Sequence, residues 1–132
     1  QVKMRDFWMP FAPAILAERA GDYFDDPKGH DARAMTIAFR GTPRARQDLA
    51  AALHPADGTL RPQVVHAEDR PEYHAVLSRF AQATGRGGLL NTSFNLHGEP
   101  IVRTPEDALA TFLGSDLDAL AIEGLLVDRV RR

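Results

Sequence analysis

The chain has 132 residues, which is enough for one domain with a hydrophobic core. Its 44% hydrophobic and 26% charged residues are typical of a folded globular protein, and no apolar run approaches the roughly 20 residues of a membrane span. The net charge of −2 gives no overall basic field for nucleic acid, and the lack of cysteine excludes disulfides and thiolate metal sites.

The first third of the chain contains one predicted helix and one predicted strand. Residues 13–24 are predicted to be helical, because Pro13 suits a first turn and apolar side chains then recur on one face. Residues 25–31 have the composition of a loop. Residues 34–40 alternate large apolar side chains with smaller or polar ones, which predicts a strand.

The middle of the chain is less clearly patterned. Residues 43–53 fit a short helix or a loop, and the sequence leaves both open. Residues 60–66 fit a strand, which Pro62 places at a sheet edge because proline cannot donate a ladder hydrogen bond.

A longer helix is predicted from Asp69 to Gly85. Asp69 is a suitable N-cap, Glu72 completes a capping-box pattern, and Gly85 supplies the stop. Phe80 continues the apolar stripe of this helix and is therefore predicted to be a core residue.

The last third has the clearest local signals. Residues 87–91 predict a short buried strand, and residues 104–114 a helix with Thr104 as its N-cap. Residues 118–124 and 125–130 predict two strands. Strands that alternate with helices indicate a mixed α+β fold, with a twisted mixed sheet flanked by helices.

A polar cluster follows the strand at 87–91, in the stretch LLNTSFN. Ser93 and Asn95 lie two residues apart, so an extended backbone would place both on one face, where they could bind one anionic group. Asn91 belongs to the same cluster. The alternative is a turn held by local side-chain hydrogen bonds, which is the commoner role of such residues.

Cationic residues that could complete an anion site lie elsewhere. Lys3 and Arg5 are also two residues apart, and together they provide a point charge and a bidentate guanidinium for phosphate oxygens. Arg61 could reach a ligand from the strand at 60–66. A solvated surface is the alternative for all three. The five histidines show no metal-binding spacing, and neither a P-loop nor a nucleophile elbow is present.

Three stretches together resemble a known family. The stretches VKMRDFWMPFAPAIL, ADGTLRPQVV and LLNTSFNLHGEPIVRTPEDALATFLGSDLDALAIEGLLV resemble, in this order, the C-terminal domain of the O-carbamoyltransferases of antibiotic and nodulation-factor biosynthesis. That domain is similar to the YrdC-like fold of threonylcarbamoyl-AMP synthases, and the resemblance covers nearly the whole of residues 1–132. It implies one YrdC-like domain that is a piece of a longer, cytoplasmic enzyme.

The resemblance also implies a site and a reaction. Lys3 and Arg5 match the family's K-x-R motif, and Ser93 and Asn95 match its S-x-N motif, which hold the phosphates of ATP and of carbamoyl-AMP. Arg61 and Asn91 complete the candidate binding set. The implied ligands are ATP, Mg²⁺ on its phosphates, and carbamoyl phosphate. Transfer to a hydroxyl acceptor would occur in a separate N-terminal kinase-like domain that carries a metal site.

The chain departs from the family pattern at three places. Met9 replaces an arginine, Ala14 replaces a serine, and the family's H-x-D-G-T is one residue longer after His54, so no role is assigned to His54. Two further readings stay open: a nucleotide- or RNA-binding module of this fold without catalysis, and a fragment without activity. Neither the acceptor nor the catalytic residues follow from the sequence.

Overall fold

The computed structural model describes residues 9–26 and 28–129. They form two compact units, residues 9–92 (residue 27 excepted) and residues 93–129. The strands are β1 (Ala12–Leu16), β2 (Phe39–Arg40), β3 (Thr59–Leu60), β4 (Gln63–Val65), β5 (Gly88–Asn91), β6 (Ala119–Ile122) and β7 (Leu125–Asp128). The helices are α1 (Ala20–Tyr23), α2 (Pro43–Asp48), α3 (Pro71–Thr84) and α4 (Pro105–Leu113), with 3₁₀ turns at Ala17–Arg19 and Ala50–Ala52.

The first unit is built on a three-stranded mixed sheet in the order β4-β1-β5, with β1 parallel to β4 and antiparallel to β5. Both faces of β1 are covered. Ile15 packs into a cluster with Tyr23, Phe24 and Phe39, while Ala14 and Leu16 pack with Leu77 of α3 on the other face. The strands β2 and β3 form a separate antiparallel pair.

The structure corrects the prediction of a helix over residues 13–24. The first part of this segment is strand β1, and helical structure begins only at Ala17. A strand that is buried on both faces lacks the alternation of polar and apolar residues, so its apolar run resembles that of a buried helix. The strand predicted over 34–40 shortens to Phe39–Arg40, and residues 43–53 are helical in part.

The predicted cap of α3 is wrong. Its N-cap is Arg70, without a side-chain cap, because Pro71 occupies the first turn. Asp69 instead forms an ion pair with Arg33, with 2.6 Å between Asp69 Oδ2 and Arg33 Nε. The end at Gly85 is confirmed, since this glycine has a φ of 74° in the left-handed region.

The core prediction for Phe80 is also wrong. Phe80 is only half-buried, and Val76 of the same predicted stripe is 57% exposed. The buried face of α3 passes through Leu77, with Tyr73 and Ala81 on either side of it. The predicted face is therefore rotated away from the observed one.

The second unit contains the helix α4 and the two strands β6 and β7 that were predicted, and the structure pairs the strands antiparallel. Thr104 caps α4 in a complete capping box. Its partner at the third helical position is Asp107. Ala108, Phe112 and Leu120 form the buried cluster of this unit, and Phe94 packs against it. Helices together with mixed and antiparallel sheets confirm the α+β class, and the described residues form three small sheets rather than one.

Candidate functional site

The residues predicted to bind a nucleotide have different surroundings. Lys3 and Arg5 lie outside the described residues. Arg61 follows β3 and is exposed to solvent. Asn91 ends β5 in the first unit, whereas Ser93 and Asn95 lie in the loop that opens the second unit.

Asn91 forms a side-chain pair across the central strand of the mixed sheet. Its Nδ2 donates a hydrogen bond to Oε1 of Gln63 at 2.8 Å. Asn91 is in register with Ala12, and Gln63 with Ala14. Residues in register point to the same face of a sheet, and the small alanine side chains of β1 leave room for the two amides to meet above that strand.

The amide pair lies at the wall of an open cleft of about 510 Å³ beside the first turn of α3. The residues that line it are Gln63, Asp69, Arg70, Pro71, Glu72, Tyr73 and Asn91. The Tyr73 phenol is protonated at neutral pH and can donate a hydrogen bond, and burial raises its pKa further from neutrality. The cleft therefore combines one guanidinium, two carboxylates, two carboxamides and a phenol.

Ser93 and Asn95 belong to a loop with its own hydrogen-bond network. Ser93 Oγ donates to Asn95 Oδ1 at 2.7 Å, and Asn95 Nδ2 donates to the carbonyl of Glu99 at 2.7 Å. Phe94 lies between them and packs against the cluster of α4, β6 and β7. The local network is the turn structure that the sequence left open as an alternative, and it fixes the orientation of both polar side chains.

Sequence reasoning missed Arg70 and Tyr73, and gave Asp69 a different role. The signal for Arg70 was present, because a proline at the first helical position places the cap one residue before Pro71. Gln63, two residues after Arg61, lines the cleft, whereas Arg61 does not.

In residues 9–26 and 28–129, no group of three or more histidine, aspartate or glutamate side chains is arranged to hold a metal ion. Over the same residues, no helix is both long and apolar enough to cross a bilayer.

Residues 1–129 match the family model described as the carbamoyltransferase C-terminus. The chain belongs to this carbamoyltransferase family. Curated relatives include an uncharacterized protein of Methanocaldococcus jannaschii, which is 45% identical over 97% of this chain and 20% of its own length. The nodulation protein NolO of Bradyrhizobium diazoefficiens is 39% identical over 96% of this chain and 23% of its own length.

A third relative has an enzymatic name. The 3'-hydroxymethylcephem-O-carbamoyltransferase of Streptomyces clavuligerus is 36% identical over 80% of this chain and 19% of its own length. The chain thus spans about a fifth of the length of the curated relatives it matches. The resemblance drawn from the sequence motifs is confirmed at the level of the family.

Proposed function

We propose that this chain binds ATP and carbamoyl phosphate and forms carbamoyl-AMP, which a separate domain of the same enzyme uses to carbamoylate a hydroxyl group. The single observation that carries the proposal is the match of residues 1–129 to the carbamoyltransferase C-terminus. A relative named as an O-carbamoyltransferase supports the transferred group and the hydroxyl acceptor.

In the proposed reaction, water first cleaves carbamoyl phosphate into carbamate and inorganic phosphate. A carbamate oxygen then attacks the α-phosphorus of ATP, the bond from this phosphorus to the α,β-bridging oxygen breaks, and pyrophosphate leaves with that oxygen. Carbamate is a weak nucleophile, so the main contribution of the protein is to hold it in line with that phosphorus. Mg²⁺ would enter with ATP and neutralise charge on its phosphates.

The proposed binding set is the six residues named from the sequence: Lys3, Arg5, Arg61, Asn91, Ser93 and Asn95. The three cations would oppose the charge that develops on phosphorus and on pyrophosphate, while the hydroxyl and carboxamides would position oxygens.

Because the chain covers about a fifth of its curated relatives, we assign the transfer step to another domain, the kinase-like one with a metal site that the family resemblance implies. Because ATP and carbamoyl phosphate are the proposed substrates, we also propose that the protein is cytoplasmic. We expect the isolated chain to carbamoylate no acceptor.

The test is carbamoyl-phosphate-dependent exchange of labelled pyrophosphate into ATP. We expect exchange with the chain or with the full-length enzyme that contains it, and acceptor carbamoylation only with the latter. ATP binding without any exchange in either protein would instead support a nucleotide-binding module without catalysis. Acceptor carbamoylation by the isolated chain would contradict the division between domains.

A further inference from the structure

The cleft beside α3 contains a side-chain arrangement that is complementary to a primary amide. With Asn91 Nδ2 bonded to Gln63 Oε1, the Oδ1 of Asn91 remains an acceptor and the Nε2 of Gln63 remains a donor. Neither atom has another hydrogen-bond partner among residues 9–26 and 28–129. Exchanging oxygen and nitrogen in both amides still leaves one donor and one acceptor, so the argument does not depend on how the amides are oriented.

A carbamoyl group presents the matching pattern, because its carbonyl oxygen accepts and its NH₂ group donates. One hydrogen bond from Gln63 to the carbonyl and one from the NH₂ group to Asn91 would pair the two amide edges. An acyl group with a methyl in place of NH₂ would leave the acceptor of Asn91 unpaired. Sites built to hydrogen-bond a substrate NH strongly reject analogues that lack it.

Arg70 supplies a cation in the same cleft. It is exposed, and within the part of the chain that the structure describes it forms no ion pair, in contrast to Arg33 and Arg44, which are paired with carboxylates. A guanidinium can bind two oxygens of a phosphate at once. The carboxylates of Asp69 and Glu72 also line the cleft, and the first of them is already paired with Arg33.

We propose that the Gln63–Asn91 pair recognises the carbamoyl group of carbamoyl phosphate in this cleft and that Arg70 binds its phosphate. The inference rests on the proposed function and deepens it, since it gives Asn91 of the proposed binding set one partner, the carbamoyl group, and adds Gln63 and Arg70 to that set. It assigns selectivity to the amide pair and affinity for phosphate to the guanidinium.

Acetyl phosphate is the discriminating probe, because it replaces only the NH₂ group by a methyl. Calorimetry on the 132-residue chain should show carbamoyl phosphate binding at least about 10-fold more tightly than acetyl phosphate. Gln63→Leu and Asn91→Leu should each bring the two affinities within about threefold, mainly by weakening carbamoyl phosphate. The double variant should add little, because the two amides act as one unit.

Arg70→Gln should weaken both acyl phosphates by the same factor, about 10-fold, and keep their ratio. Gln82→Leu and Arg79→Gln are matched controls, since both residues are exposed on α3 and neither lines the cleft. Both controls should bind as the unaltered chain does. Circular dichroism should show that every variant keeps the folded structure.

The inference is wrong if Gln63→Leu and Asn91→Leu leave the ratio of the affinities for carbamoyl phosphate and acetyl phosphate unchanged. It is also wrong if Arg70→Gln leaves both affinities unchanged. If the unaltered chain binds carbamoyl phosphate and supports pyrophosphate exchange but does not distinguish acetyl phosphate, only this inference fails. If the unaltered chain binds neither acyl phosphate and the full-length enzyme shows no exchange, the proposed function fails with it.

Discussion

The two units differ in how much apolar surface they bury. The first has a two-sided core in which Tyr23, Ile15, Leu60 and Leu77 are fully buried. The buried hydrophobic residues described for the second unit are Ala108, Phe112 and Leu120. Several of its leucines are exposed instead: Leu113 at 72%, and Leu125 and Leu126 at 68% each.

Where the buried core is small, hydrogen bonds at the ends of helices and strands contribute a larger share of the stability. In the second unit the guanidinium of Arg129 donates to the carbonyls of Phe112, Ser115 and Leu117 and lies over the Phe112 ring. These carbonyls lie at and just beyond the end of α4, where a cation is favourable, and the Phe112 carbonyl also accepts a hydrogen bond from the Ser115 hydroxyl. The first unit instead adds a buried polar network to a larger core. We therefore expect single substitutions to act differently in the two units.

The largest effect is expected at Phe112, which is 3% exposed. Phe112→Ala should cost about 3–5 kcal/mol of stability, because it removes the largest buried side chain of a three-residue cluster and the stacking partner of Arg129. Denaturant melts with hydrogen exchange should show loss of protection in residues 93–129, while β1, β4 and β5 stay protected. Leu113→Ala on the same helix is the control, with a loss below about 1 kcal/mol. A small loss for Phe112→Ala would contradict the contrast in core size.

Asn95→Ala tests whether the second unit takes part in the chemistry. If Asn95 is one of the positioned donors, its loss should slow pyrophosphate exchange by about 10²–10³, equivalent to about 2.7–4 kcal/mol in the transition state. Transfer from preformed carbamoyl-AMP should slow less. Gln82→Ala, an exposed amide in the first unit, serves as the matched control. Unchanged exchange in Asn95→Ala would limit this loop to a structural role.

The buried network of the first unit leads to a smaller prediction. The Tyr23 hydroxyl donates to Asp48 Oδ2 at 3.2 Å and accepts from the backbone N–H of Gly87 at 2.7 Å. Tyr23→Phe should cost about 1–3 kcal/mol, because it leaves a buried N–H without its partner. Tyr73→Phe is the control, since no hydrogen bond of the Tyr73 hydroxyl is found among the described residues, and it should change stability by less than about 0.5 kcal/mol. Equal losses of stability in Tyr23→Phe and Tyr73→Phe would show that the hydrogen bonds of the Tyr23 hydroxyl do not cause the loss.

The two units also differ in what the sequence predicts. In the second unit α4, β6 and β7 carry local signals, such as Thr104 with Pro105 and the Gly124 turn, and each was predicted correctly. In the first unit β1 is defined by partners about 50 and 76 residues away, Gln63 and Leu90 among them, and was mistaken for a helix. Partners so distant cannot be read from the residues of β1 itself, and burial of both its faces removes the alternation that would mark it as a strand.

The residues of the candidate site also divide into those with a local sequence signal and those brought together by distant parts of the chain. Asn91, Ser93 and Asn95 are candidates because they are closely spaced polar residues at the end of a predicted strand, and the resemblance to family motifs adds Lys3 and Arg5. The Gln63–Asn91 pair and Arg70 depend on the register of three strands and on the start of α3. No local pattern links positions 28 residues apart, so the cleft required the structure.

The smallest expected effect is the pH dependence of the α4 cap. The backbone N–H groups of Thr104 and Arg103 donate to Asp107 Oδ2 at 3.1 and 3.2 Å and hold the pKa of this carboxyl below its ordinary value of 3.8. A group with a lowered folded-state pKa stabilises the fold above its unfolded pKa. The contribution of Asp107 should thus be fully present above about pH 4 and be lost as the pH falls through its lower folded-state pKa.

Carboxyl NMR titration should place the midpoint of Asp107 below 3.8. The helical signal of α4 should weaken over the same interval, and Asp107→Asn should remove this part of the pH dependence. Because Asp107 is exposed, added salt should reduce the shift. An ordinary midpoint for Asp107 would mean that the hydrogen bonds of the capping box do not persist in solution. The stability of the second unit would then rest on its small core and on Arg129.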